Sequence, residues 1–339
     1  MNLLWFVLRR IVLAVPIVLG VLIFTFLLVR IGGNDPVALL AGPTATPQET
    51  AQIAARLQLD QPIWRQFVTF AAQVAHGDLG RSWLSDRPVL DELFDRLPAT
   101  LEIVLIGALI GTAIAVPAGI SAAMAAGGWL DNVCRIVSLV GFGMPTIFLG
   151  LVLIFVFFFA LDLAPPPMGR IDLLIDVPRR ITGSYAIDAA LSGNLEAFAS
   201  AAGRLVLPCV AIAIVFAAPL VKQSRAIALD VLASDWIRYA RILGLPAREI
   251  RKIVWRNAAA PLVTYGATEL CALFGSASVL ELIFSWGGVS QFGLMAILRG
   301  DFAVIQGYVI TMSAMAVVIF AAADALVLWF EPRARLEQT

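Results

Sequence analysis

The chain has 339 residues, 60% of them hydrophobic and 14% charged, with a mean hydropathy of +0.90 and a formal net charge of zero. A soluble globular domain runs closer to about half apolar and a quarter charged, so this composition excludes an ordinary water-soluble domain and points to lipid. Three well-separated cysteines (Cys134, Cys209, Cys271), no CxxC and a single histidine exclude a structural zinc site; the cysteines read as small buried hydrophobes.

Apolar segments run from one end to the other, so one membrane domain over 1–339 is expected rather than two. The first segment, 11–29, has 19 residues without a charge and follows Arg9 and Arg10. It is longer than a signal-peptide core and no small-residue cleavage site follows, so it reads as an uncleaved spanning helix. Residues 31–97 are polar but carry helix signals. Thr46-Pro47-Gln48-Glu49 is a capping box with proline at the first helical position. A second helix begins near Pro62, with Ile63, Trp64, Phe67, Val68 and Ala71 as its apolar stripe, and Gly77 ends it. His76 sits at its C-terminus, where a cation is favoured.

Uncharged stretches then cover 103–130, 136–161 and 205–221. Residues 261–283 are apolar apart from Glu269 and Glu281, and 302–329 carry only Asp324. A helix rises about 1.5 Å per residue, so roughly 20 residues cross the hydrocarbon layer. An all-α membrane protein with six spans is therefore expected. Pro16, Pro117, Pro145 and Pro208 lie in or beside these spans, where neighbouring helices re-satisfy the freed carbonyls.

Basic residues set the orientation. Residues 222–260 hold eight of them (Lys222, Arg225, Arg238, Arg241, Arg248, Arg251, Lys252, Arg256) against three acids. Arg9, Arg10, Arg333 and Arg335 mark the termini, whereas residues 31–97 carry five basic and eight acidic side chains. With an even span count, both termini and 222–260 are expected in the cytoplasm, and 31–97, 162–204 and 284–301 outside.

Catalytic signatures are missing. Lys222 follows valine and Lys252 follows arginine, so no phosphate-binding GxxxxGK[ST] loop exists, and neither GxSxG nor HExxH occurs. The expectation is a chain without catalytic residues, metal ligands or a cofactor of its own.

The most informative segment is DWIRYARILGLPAREIRKIVWRNAAAPLV, residues 235–263. After Asp235, Trp236, Tyr239, Ala240 and Leu243 recur along one helical face, while Arg238 and Arg241 point elsewhere. Gly244 stops that helix and Pro246 restarts the chain ahead of Arg248. Ile250, Ile253 and Val254 form a second stripe. Two short, arginine-rich amphipathic helices suit either docking into another protein or resting on anionic lipid, and the residues alone leave both open.

This segment resembles the cytoplasmic EAA loop of permease subunits of binding-protein-dependent ABC importers. Arg238-Tyr239-Ala240 stand at the EAA positions, Gly244 at the glycine and Val254 at the isoleucine. Arg238 replaces the usual glutamate, and Pro261 falls four residues later than in the general pattern; both departures match the peptide-transport branch, here with Arg256-Asn257-Ala258-Ala259-Ala260-Pro261. LRRIVLAVPIVLGVLIFTFLLVRIGGNDP near the N-terminus, GDLGRSW at 77–83, RPVLDELFDRLPATLE at 87–102 and MPTIFLGLVLIFVFF at 144–158 also resemble the dipeptide/oligopeptide permease family. ELIFSWGG at 281–288 is similar to that family's ETIFSWPG turn, with Gly287 in place of proline.

The resemblance covers nearly the whole chain and implies a type I ABC importer permease with a helical extracytoplasmic loop and an EAA-type coupling helix at 235–243. It implies a multi-pass protein of the bacterial inner membrane. The implied partners are a second homologous permease, two ATPase subunits that bind ATP and Mg, and an extracytoplasmic binding protein. Nucleic acid is not among them. Glu269, roughly 12 Å into its span by helical rise, is a candidate for lining the pathway or meeting the partner permease, because a carboxylate at that depth costs about 2.5–3.5 kcal/mol on insertion scales. An ion-driven transporter, with paired intramembrane carboxylates and internal repeats, and a membrane scaffold or receptor are the competing classes. The family carries dipeptides, oligopeptides, nickel chelates, opines and some oligosaccharides, among which this sequence does not choose.

Overall fold

A computed structural model describes residues 16–27, 37, 46–56 and 61–330. Among them the fold is all-helical apart from one isolated bridge, Arg81 to Pro88. The helices are α1 (Pro16–Leu27), α2 (Pro47–Arg56), α3 (Ile63–Ala75), α4 (Val89–Met124), α5 (Trp129–Gly143), α6 (Thr146–Leu153, continued by a π-helical Ile154–Ala160), α7 (Tyr185–Ser192), α8 (Leu195–Ala233), α9 (Asp235–Ile242), α10 (Ala247–Ile283), α11 (Val289–Arg299) and α12 (Phe302–Phe330).

Four of these, α4, α8, α10 and α12, are long and apolar enough to cross a membrane, and α5 with α6 makes a fifth if counted as one span. The expected first span corresponds to α1; its residues 11–15, 28 and 29, with Arg9, Arg10, Arg333 and Arg335, lie outside the described residues. One expectation is corrected. The span at 136–161 is not a single rod, because α5 and α6 meet at 104°. Pro145 disfavours helical geometry at the preceding Met144, which adopts extended backbone (φ −81°, ψ 123°) and ends α5 there.

The chain divides into two compact units. One comprises Met1–Leu97 with Phe292–Val317, the other Pro98–Gln291 with Val318–Thr339. In the first, the capping box forms as read: Thr46 N donates to Glu49 Oε2 (2.8 Å) and Glu49 N to Thr46 Oγ1 (3.3 Å). On α3 the expected stripe is rotated. Gln66 is the buried residue and Phe67 and Phe70 meet Phe26 of α1 at 5.3 and 5.9 Å, while Ile63, Trp64 and Val68 are exposed. His76 caps the helix, its Nδ1 2.7 Å from Ala72 O, and Gly77 takes the left-handed conformation (φ +80°) that stops it.

The GDLGRSW segment has a structural part to play. Ser82 Oγ donates to buried Asp301 (2.6 Å), which also accepts from Leu84 N and caps α12 through Val304 N, while Trp83 packs on Phe302.

The second unit is built on a ridge of small residues. Gly107, Gly111, Ala115 and Gly119 recur every four positions on α4, where their lack of bulk lets α4 and α8 backbones touch. An added Cβ at Gly107 would lie 2.5 Å from Ile212, at Gly111 3.0 Å from Ala213 O, and at Gly119 2.6 Å from Val221 O. Small residues four apart are the common means of close helix approach in membranes.

Polar clamps order the segments between spans. Arg204, almost fully buried, donates to Pro166 O (2.8 Å) and Asp172 Oδ2 (2.9 Å). The Asp188 carboxylate gathers Ile181 N, Thr182 N, Thr182 Oγ1 and Gly183 N at 2.7–3.2 Å. Arg170 stacks on Tyr185 at 3.6 Å. At the end of α10, fully buried Glu281 accepts from Thr100 Oγ1 (2.5 Å) and Gln291 N (2.7 Å), and Trp286 Nε1 donates to Ala99 O (2.9 Å). Gly287 in that turn has φ +75°, which a proline ring fixed near −65° does not allow.

Candidate functional site

At about 1.5 Å per residue, the 39 residues of α8 and 37 of α10 run about 58 and 55 Å, well past a hydrocarbon layer of roughly 30 Å. Part of this excess falls at the end where the basic residues concentrate. Residues 222–233 continue α8 and 247–260 begin α10, so only 234–246 connect them. The second short helix read from the sequence is thus the first turns of α10, because nothing between Ala247 and Pro261 interrupts the helical pattern and Pro261 is accommodated inside the helix.

The connection is α9. Ser234, with extended backbone (φ −65°, ψ 146°), opens it, and Asp235 lies in its first turn, where negative charge is favoured. Gly244 closes it in the left-handed conformation (φ +79°), and Leu245 N returns to Ala240 O at 3.1 Å. Eight residues are too few for a helix that stands alone in water, so tertiary contact must hold it. That contact is Ile237, the one fully buried side chain of α9, packed against α8. Ile237 was not among the residues singled out from sequence; the signal was an apolar side chain about 100° around the helix from Trp236, off the Trp236–Tyr239–Leu243 stripe.

The other side chains of α9 and of the turn into α10 are exposed or half-buried. Trp236 is 46% exposed, Tyr239 63%, Ile242 77% and Leu243 61%, with Asp235, Arg238, Arg241, Gly244 and Arg248 exposed around them and Ala240 half-buried. None of the three arginines forms an ion pair among the described residues. The face that amphipathic periodicity marks as the one to bury therefore remains open. Apolar aromatic surface ringed by unpaired guanidinium groups is the composition of a protein-binding hot spot.

Glu269 lies apart from this site, half-buried in α10, one turn after Tyr265. Thr264, Thr268, Ala272 and Gly275 form an exposed stripe on the same helix. Small and polar side chains there would be poor company for lipid tails.

Outside the spans, the Asp172 and Asp188 carboxyls are held below their usual range. For Asp172 the Leu174 N–H is the larger cause and Arg204 the next. For Asp188, burial pushes upward but the donors from Thr182, Ile181 and Gly183 together outweigh it.

Long apolar helices and one short helix with an exposed amphipathic face define a polytopic membrane protein. The chain matches the family "Binding-protein-dependent transport system inner membrane component" over residues 115–336, and the N-terminal model of the same component over residues 3–104. It belongs to that family, and is a multi-pass inner-membrane permease component. It is 36% identical to the probable D,D-dipeptide transport system permease protein of Escherichia coli (strain K12), over 94% of both chains. It is 33% identical to the dipeptide transport system permease protein of the same organism and 34% identical to the di/tripeptide transport system permease protein of Pseudomonas aeruginosa (strain UCBPP-PA14), each over 97% of this chain and 98% of the relative.

Proposed function

We propose that this chain is the permease subunit of an ATP-driven importer of di- or oligopeptides, and that α9 is the lever by which a separate ATPase drives it. The carrying observation is the α9 surface: Trp236, Tyr239, Ile242 and Leu243 exposed beside Arg238, Arg241 and Arg248, on a helix fastened to α8 through Ile237. A helix anchored on one side and open on the other transmits force from whatever grips it.

The positive-inside rule puts α9 and both termini in the cytoplasm. ATP and Mg are bound by two ATPase subunits, and this chain performs no covalent chemistry. A second, homologous permease completes the pathway, and an extracytoplasmic binding protein delivers substrate to the opposite side. The names of the relatives support peptides as the substrate class. The exposed small-residue stripe of α10, with Glu269 beside it, supports that helix as a wall of the pathway.

A photo-cross-linker at Tyr239 should capture the ATPase subunit from the assembled transporter; labelling of that position by an external reagent would overturn the assignment. Gly244→Pro forces φ from +79° to about −65° and deletes an N–H donor. It should abolish uptake while membrane insertion persists, and Ala240→Glu should do the same. Normal uptake by either variant would count against the docking role. Glu269→Gln should change rate or selectivity, and a variant matching wild type in both would remove Glu269 from the pathway.

A further inference from the structure

Asp131 is an acid buried at the foot of α5 (1% exposed) and belongs to none of the clamps described above. Arg225 of α8 engages it side-on with two guanidinium nitrogens: Nη2 donates to Oδ2 at 2.9 Å, and Nε donates to Oδ1. Gly127 N donates to the same carboxylate at 2.9 Å, from a turn that needs the left-handed backbone of Gly127 (φ +82°). Bidentate guanidinium–carboxylate pairs fix orientation as well as proximity. At the same level, Gly119 of α4 lies against Val221 O, the Ser224 side chain and Arg225 N. The α4–α5 turn, the foot of α5 and α8 are thereby joined at one point.

Its position along the chain gives that point a consequence. Arg225 is nine residues before Ser234, about 14 Å along α8 from the start of α9. The far end of α5 is the 104° break into α6. Arg225 therefore lies between α9, which Ile237 fastens to α8, and the apolar part of the span.

We propose that the Asp131–Arg225 pair is the positioning contact that passes movement of α9 into the bent α5–α6 span, so that severing it uncouples ATP hydrolysis from transport. This rests on the reading of α9 as the ATPase-docking helix. The arginine fork and the buried acceptor make the contact directional and stiff.

The test uses the complete transporter in proteoliposomes, with Asp131→Asn, Arg225→Gln, their double variant and Arg225→Lys, scored as peptide imported per ATP hydrolysed. Each single variant should still assemble and hydrolyse ATP within about twofold of wild type, while import per ATP falls about tenfold, in the range of coupling losses seen for residues between sites. The double variant should fall no further than either single one, because residues sharing one interaction are non-additive. Arg225→Lys, which keeps the charge but loses the fork, should fall in between and serves if the other variants do not assemble.

A wild-type ratio in Asp131→Asn or Arg225→Lys, or losses that multiply in the double variant, would overturn the proposal. So would a fall in assembled complex large enough to account for the lost uptake. Cross-linking from Tyr239 separates the two readings. If it captures the ATPase while the variants remain coupled, only the pair's role fails; if it captures nothing in wild type, the docking reading fails first.

Discussion

Asp188, Asp172, Glu281 and Asp131 are carboxylates with the same chemistry and four different duties, set by who donates to them. Asp188 organises a turn, and its depressed pKa carries a sign that can be tested. A group whose folded pKa lies below its unfolded value of about 4 stabilises the fold above that pH and stops doing so as pH falls through the folded value. Hydrogen exchange at 181–188, corrected for its intrinsic pH dependence, should therefore accelerate below about pH 4, and Asp188→Asn should erase that dependence. Gly119 makes the complementary point through absence of a side chain. Gly119→Ala would place a methyl group 2.6 Å from Val221 O and 2.9 Å from Arg225 N, where backbone must move, and should cost about 1–3 kcal/mol in detergent thermal unfolding. Gly266, with nothing within 4 Å of an added Cβ, is the internal control and should tolerate alanine.

Among the elements, α9 and the end of α10 show how single side chains decide what a helix or turn is for. Ile237→Ala removes the only fully buried contact of α9. Large-to-small changes of this kind cost about 2–5 kcal/mol in cores, and here the loss should appear locally, as proteolytic sensitivity at 234–246 with the spans intact. At the α10 turn, Thr100→Val deprives the buried Glu281 carboxylate of its 2.5 Å donor and Val289 N of its acceptor. An unsatisfied buried polar group costs about 1–3 kcal/mol, more when charged, so this variant should unfold earlier than wild type, and Glu281→Gln less so because it keeps an acceptor oxygen. The GDLGRSW and ELIFSWGG segments, recognisable in sequence as family signatures, thus act in this structure as internal fasteners through Asp301 and Glu281.

For the whole molecule, membership of a binding-protein-dependent transport family fixes where energy should enter. Uptake into proteoliposomes carrying the complete transporter should require ATP on the α9 side and survive collapse of the proton gradient; the reverse result would return the ion-driven class to contention. Much of this architecture was open to reading from the chain alone. The Thr46–Glu49 capping box, the helix from Pro62 to Gly77, the all-helical class and the α9 segment at 235–243 depend on local spacing, capping and φ preference, which act within a few residues. The break at Met144–Pro145 was harder to foresee, since proline inside a span can be absorbed, as Pro117, Pro208 and Pro261 are, or can end the helix. Neighbouring helices decide between those outcomes.

What the linear order of residues determined by itself was composition-driven: a lipid-embedded helical protein, its basic end, and one amphipathic helix bounded by Asp235 and Gly244. Only the tertiary structure decided which face of that helix stays open, that Arg225 reaches Asp131 across 94 positions, and that Glu281 is a clamp rather than a pathway charge. Periodicity reports which side chains share a face, but burial and ion pairing depend on what another part of the chain brings against that face, and that information is spread over residues far apart in sequence.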